Sequence, residues 1–159
     1  MSITAQTPML QPGDPAPDFT LVDSTGNSVQ LAKLRGKRVV LYFYPRDNTP
    51  GCTKEACGFR DRYADYQGQD IVVLGISTDD AKAHQKFTDK YSLPFPLLCD
   101  TEAEVATAYG VYGLKKFMGK EFMGIQRTTF VIGADGSLEK IYRKVKPETH
   151  AADILADLA

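Results

Sequence analysis

The chain has 159 residues, 43% of them hydrophobic, which is enough for one domain with a sizeable core. Its 19 basic and 20 acidic residues leave a net charge of −1, so charge gives no reason to expect nucleic acid or an anionic membrane as partner. No apolar run approaches the roughly 18 residues of a membrane span, and Met1 to Pro15 lacks an apolar signal core, so neither an anchor nor a secretory leader is expected.

After an irregular start, Phe19–Val22 and Ser28–Leu31 flank Ser24-Thr25-Gly26-Asn27, the pattern of a hairpin. The unbroken apolar run Val39–Tyr44 predicts a central strand buried on both faces. A helix follows over Pro50–Gln67, with apolar residues stepping by four and three through Cys52, Ala56, Phe59, Tyr63 and Tyr66. Ile71–Ile76 is a second buried strand and Asp80–Tyr91 a helix. Leu97–Cys99 is a short strand and Glu102–Tyr109 a short helix. Gly110–Gln126 has no clear period and is expected to be a long loop. Its Phe117, Met118, Phe122 and Met123 are expected to pack on the body, in preference to forming a mobile apolar lip or a docking surface for a partner. Thr128–Ile132 and Leu138–Val145 join at Ala134-Asp135-Gly136 as a terminal hairpin, and a last helix starts near Pro147. Strands alternating with helices and then a hairpin predict an α/β three-layer fold, a central mixed sheet flanked by helices, in a single domain over 1–159.

Chemistry concentrates between Tyr44 and Cys57. Thr49 suits the N-cap and Pro50 the first helical position, which makes Cys52 the third helical residue. Unpaired backbone N–H groups and the positive end of the helix dipole favour a thiolate there. A lone cysteine on a helical stripe is ordinarily a small apolar residue. A threonine three positions earlier, Pro45 before it and a second thiol nearby weigh against that reading.

Pro45-x-x-x-Thr49-x-x-Cys52 resembles the active-site pattern of the peroxiredoxins, thiol peroxidases on a modified thioredoxin fold. The string Phe43-Tyr44-Pro45-Arg46-Asp47-Asn48-Thr49-Pro50-Gly51-Cys52-Thr53-Lys54-Glu55-Ala56-Cys57 is similar to the bacterioferritin comigratory protein, or peroxiredoxin Q, branch. Asp14-x-Ala16-Pro17-Asp18-Phe19, Tyr91–Leu98 and Arg127–Ile132 resemble it too, in the expected order, so the likeness runs from about Pro12 to the last helix. The resemblance implies that Cys52 attacks the peroxide and that Thr49 hydrogen-bonds the peroxide or the sulfur. It further implies that Pro45 shields the site and that Arg127 supplies a fixed positive charge, with Glu55 orienting the arginine. A fixed cation and N–H donors aimed where charge develops are the usual large source of rate enhancement. An acid stabilising a helix's first turn is an equally good account of Glu55 from sequence.

The resemblance also implies a cycle without metal, flavin or haem, in a monomer recycled by thioredoxin or a similar dithiol protein. The sulfenic acid formed on Cys52 would condense with Cys57 into an intramolecular disulfide. On an intact helix five residues rise about 7.5 Å and rotate about 500°, leaving the Cα atoms roughly 8–9 Å apart and the side chains about 140° out of line. That exceeds the roughly 7 Å limit for a disulfide, so the helix start must unwind in each cycle. Gly51 and Gly58 bracket the segment.

Cys99 is expected to be a structural small residue, and His84 and His150 surface residues away from Cys52. A thioredoxin-type reductase would use Cys-x-x-Cys, which is not the spacing here. A zinc module would have to gather Cys52, Cys57 and Cys99 with a histidine from separate elements. Three cysteines without a disulfide framework fit a reducing compartment and suggest the cytoplasm.

Overall fold

The computed structural model describes residues 9–159, so most of the expected irregular start lies outside the described residues. In chain order the strands and helices are β1 (Thr20–Val22), β2 (Ser28–Gln30), a 3-10 turn over Leu31–Leu34, β3 (Arg38–Phe43), α1 (Pro50–Asp61), α2 (Tyr63–Gly68), β4 (Ile71–Ser77), α3 (Ala81–Tyr91), β5 (Leu97–Cys99), α4 (Glu104–Ala108), β6 (Tyr112–Phe117), β7 (Lys120–Ile125), β8 (Thr128–Ile132), β9 (Leu138–Tyr142) and α5 (His150–Leu158).

Five strands form the central sheet in the order β5-β4-β3-β8-β9. β3 runs parallel to β4 and antiparallel to β8, which makes the sheet mixed, as expected. The continuous apolar run of β3 follows from its central place, where both faces are covered. Val39, Leu41 and Phe43 point to one core with the 3-10 turn and α4, through Leu31, Val105 and Ala106. Val40 and Tyr42, with Tyr44 just beyond the strand, point to the other, built with Cys52, Ala56 and Phe59 of α1, Tyr66 of α2, Phe87 of α3 and Ile154 of α5. Cys52 is therefore inserted at the rim of the second core. None of the described helices is long and apolar enough to cross a membrane.

Three expectations need correction. The helix expected over 50–67 breaks at Arg62, whose N–H reaches back to the Phe59 carbonyl. Tyr66, now on α2, still lies in the core, where its hydroxyl donates to the Ala151 carbonyl at 2.7 Å. Arg62 is neither glycine nor proline, so nothing local marks the break. The last strand stops at Tyr142 rather than Val145.

The third correction is the largest. Residues 112–125 are a hairpin, β6 paired with β7, closing on Met118 and Gly119 with φ of 52° and 79°. Two positive φ values match the twist of a two-residue hairpin turn. The two strands pair with each other and with no strand of the central sheet. Met118, Phe122 and Met123 are 85%, 45% and 54% exposed, not packed away as expected, and Leu114 beside them is 56% exposed; the side chain of Phe117, of which the same was expected, lies outside the described part of the structure.

Candidate active site

α1 begins where β3 ends, with Thr49 as N-cap, Pro50 at the first position and Cys52 at the third, as the sequence predicts. The Thr49 hydroxyl does not cap the helix; it donates to the Arg46 carbonyl at 2.9 Å. With its proton so engaged, the oxygen faces other partners as an acceptor. Pro45 and Thr49 line a cleft of about 840 Å³, whose far wall is Tyr112, Lys115, Phe122 and Met123 of the hairpin.

Arg127 precedes β8 and is brought to α1 by the antiparallel pairing of β8 with β3. Its Nη2 donates to Cys52 Sγ at 3.4 Å and its Nη1 to Glu55 Oε1 at 2.6 Å. Cys52 and Glu55 are three residues apart on one helix, so both face the same guanidinium. A Cβ on Gly51 would come within 3.0 Å of Arg127 Nη2. Glycine thus has a second use here beyond loosening the helix: it lets the guanidinium lie against the first turn.

Glu55 is 1% exposed, and its Oε2 is a buried oxygen with no hydrogen-bond partner. Burial outweighs the attraction of Arg127 and pushes its carboxyl up to about 7. His150 Nε2 lies 3.9 Å from that free oxygen and 2.8 Å from Thr129 Oγ1. Burial pushes His150 down to about 4, so it sits there neutral at pH 7. The expectation that His150 is a surface residue is wrong: it is 2% exposed, wedged between Phe59 and Tyr142.

His84 is also misplaced by sequence reasoning, being 0% exposed. Its Nδ1 lies 2.6 Å from Asp47 Oδ2 and its Nε2 2.9 Å from the Leu98 carbonyl. The signal was there: His84, Phe87 and Tyr91 share one helical face, as do His150, Ile154 and Leu158. A polar residue on such a stripe goes inside when the fold supplies partners for it.

Cys57 is half-buried and Cys99 buried, and all three thiols are free. Cys52 and Cys57 lie within the continuous α1, the geometry in which they cannot bond. Burial pushes the Cys57 thiol up, which holds its proton on. Cys99 goes up to about 11 through burial and the nearby Asp23 and Asp47 carboxylates, consistent with a small buried residue. Among the described residues the one grouping with metal-ligand spacing is Asp47, Asp79 and His84, which contains no cysteine. Its atoms already bond one another, Ser77 and backbone. Among the described residues the three cysteines do not come together at metal-ligand spacing.

Residues 12–141 match the model of the AhpC/TSA family. The chain is similar to peroxiredoxin Bcp of Bacillus subtilis strain 168, at 49% identity over 92% of this chain and 93% of that one. It is also similar to peroxiredoxin Bcp of Escherichia coli K12, at 44% identity over 89% and 90%. Among solved structures, a cysteine-to-serine mutant of PrxQ from Xylella fastidiosa superposes with a TM-score of 0.89 at 32% identity, covering 96% of this chain and 97% of that one. The bacterioferritin comigratory protein of Xanthomonas campestris, described for its alkyl peroxide reduction activity, gives 0.83 at 35% identity over 88% and 89%.

Proposed function

This chain belongs to the AhpC/TSA family and is a peroxiredoxin of the Bcp or PrxQ type on a thioredoxin-like fold, and we propose that it reduces hydrogen peroxide and organic hydroperoxides by an intramolecular two-cysteine cycle. The observation that carries the reading is the fork of Arg127 between Cys52 and Glu55 at the start of α1. The Cys52 thiolate attacks one peroxide oxygen. The S–O bond forms as the O–O bond breaks, and the departing oxygen takes up a proton to leave as water or alcohol. Arg127 faces both the thiolate and the charge developing on the peroxide. Thr49, its own proton given to Arg46, accepts from the peroxide O–H, and Pro45 keeps water from the reacting sulfur.

Cys57 then attacks the sulfenic sulfur, forming the disulfide and releasing water. Because α1 keeps the thiols apart, its start unwinds first. Unwinding also frees Cys57 from the burial that holds its proton on, so the resolving thiolate forms where it is needed. A dithiol protein of the thioredoxin type restores both thiols by exchange, becoming the disulfide itself. The chain acts as one domain over 1–159 and as a monomer, since both cysteines lie in one helix. A dithiol reductant points to a reducing compartment such as the cytoplasm.

One equivalent of hydrogen peroxide added to the reduced protein tests the cycle by intact and peptide-mapped mass spectrometry. The expected result is rapid loss of two hydrogens, mapped to Cys52–Cys57. Cys52→Ser should abolish it, and Cys57→Ser should stop at oxygen added to Cys52. Equal peroxidase activity in the two variants would overturn the assignment.

A further inference from the structure

The segment from Pro45 to Thr49 carries two residues of the proposed site and adjoins the helix turns that must open. Its middle residue, Asp47, is 9% exposed and tied on several sides. Tyr44 donates its hydroxyl to Asp47 Oδ1 at 2.5 Å and His84 meets Oδ2 at 2.6 Å, while the Asp47 N–H donates to Asp79 Oδ2 at 2.8 Å. Asp79 Oδ2 also takes the Ser77 hydroxyl at 2.6 Å. Asn48 follows with a φ of 59°, a left-handed conformation that asparagine accepts more readily than most side chains.

His84 is the informative member. One ring nitrogen faces a carboxylate and the other a backbone carbonyl, and a carbonyl only accepts. A neutral imidazole has one N–H and meets one of two ionised or carbonyl acceptors, whereas the imidazolium meets both. The fully enclosed ring is thus built to carry a positive charge against Asp47, and through Leu98 it fastens the loop to β5.

We propose that the buried Asp47–His84 ion pair clamps the Pro45–Thr49 loop in place while the adjoining turns of α1 unwind and reform, which makes His84 a positioning residue for the peroxide site. The inference rests on the reading of Cys52 as the peroxide-attacking thiol. His84 touches neither substrate nor Cys52. It acts through Asp47 on the loop that bears Pro45 and Thr49, and a reacting geometry lost by about 1 Å costs on the order of 10²-fold in rate. The clamp also marks where unwinding stops, because Asp47 is held by Tyr44 just beyond β3, Asp79 between β4 and α3, and His84 of α3 rather than by the helix.

The test compares wild type with His84→Leu and Asp47→Asn. Amide exchange in the wild type should show residues 46–49 equally protected in the reduced and disulfide forms, while 50–58 lose protection on oxidation. In His84→Leu the loop amides should exchange faster even when reduced, and oxidation of Cys52 by peroxide should slow on the order of 10- to 100-fold. Asp47→Asn is the conservative variant: its amide can donate to a neutral His84 Nδ1 and the Nε2–H keeps Leu98, so the hydrogen bonds persist without the charge and the oxidation rate should fall less than in His84→Leu. Nitrogen NMR of the wild-type ring should find both nitrogens protonated at neutral pH. A neutral ring, loop amides that open with α1, or a His84→Leu protein with wild-type oxidation rate would each overturn the clamp. A wild-type Cys52 that fails to react rapidly with peroxide would instead remove the underlying peroxidase assignment.

Discussion

Gly58→Ala separates attack on peroxide from disulfide formation. Gly58 lies in the helical body of α1, immediately after Cys57. A methyl there would meet Ala151 Cβ at 3.7 Å and the Pro147 carbonyl at 4.0 Å, ordinary contacts that need no adjustment. Glycine in a helix interior costs about 0.5–1 kcal/mol relative to alanine, so the substitution stabilises the closed helix by that much. If Cys57 reaches Cys52 only from the unwound form, that form becomes about 2- to 5-fold rarer, since RT is near 0.6 kcal/mol and the propensity gain is about 0.5–1 kcal/mol. Quenched-flow mass spectrometry reads both steps. Oxygen should reach Cys52 at the wild-type rate, and the two-hydrogen loss should follow about 2- to 5-fold more slowly by that same propensity difference. With excess peroxide, more sulfinic acid should accumulate on Cys52, because the sulfenic acid waits longer for its partner. If the variant melts higher, as the helix argument requires, yet forms its disulfide as fast as wild type, then unwinding of α1 does not govern resolution.

Gly51→Ala, in the same helix, should differ at the first step. Its Cβ would press within 3.0 Å of Arg127 Nη2, the nitrogen that faces Cys52, so attack on peroxide should slow, whereas Gly58→Ala leaves it unchanged; an unimpaired first step would show that the guanidinium's seat over Gly51 is immaterial. The pH dependence of stability offers an independent check on Glu55 and His150. Glu55 rises from 4.5 to about 7, so between those pH values the folded chain binds more protons than the unfolded one, and stability falls as pH rises, by up to about 3 kcal/mol. His150 drops from 6.5 to about 4, so the unfolded chain binds more protons in that window and stability rises with pH by a similar amount. The two slopes nearly cancel where they overlap. Denaturant melts between pH 4.5 and 6.5 should show a slope more negative than wild type in His150→Gln and more positive in Glu55→Gln. Slopes displaced in the same direction would refute the assignment of the two charges.

The central sheet was legible because its strands obey simple rules. Val39–Tyr44 and Ile71–Ile76 are apolar throughout and central, and Leu97–Cys99 and Thr128–Ile132 sit where expected. Cys52 at the third helical position was legible because Thr49 and Pro50 mark the helix start whatever the tertiary context. What failed depends on partners distant in sequence. His84 and His150 read as polar and therefore exposed, but their burial is made possible by Asp47 and Leu98 for one and by Thr129 for the other. The hairpin over 112–125 escaped because Met118-Gly119 lacks the usual Asn-Gly signal and because glycine and lysine interrupt its alternation. The split roles of Gly51 and Gly58 were not separable either. Both look like loosening residues until Arg127 is found against one and α5 against the other.

Placing both acids on α1 ties the chemistry to the movement. Cys52 and Glu55 share one guanidinium, and that guanidinium belongs to the sheet side of the molecule, not to α1. In the proposed cycle the reacting thiolate is drawn to Arg127, which lies 3.4 Å from Cys52 Sγ, and that attraction helps hold the first turn of α1 against the body. Attack on peroxide would turn the sulfur into a neutral sulfenic acid, and the attraction would be lost at the same moment. Glu55 alone then holds α1 to Arg127, and with its carboxyl pushed up to about 7 it is only partly ionised near neutral pH. On the proposed cycle the helix start is therefore weakest just after the first step, when it would have to unwind, and regains its second tie when reduction returns the thiolate. That cycle needs no separate trigger: the charge lost in the first reaction would release the helix for the second.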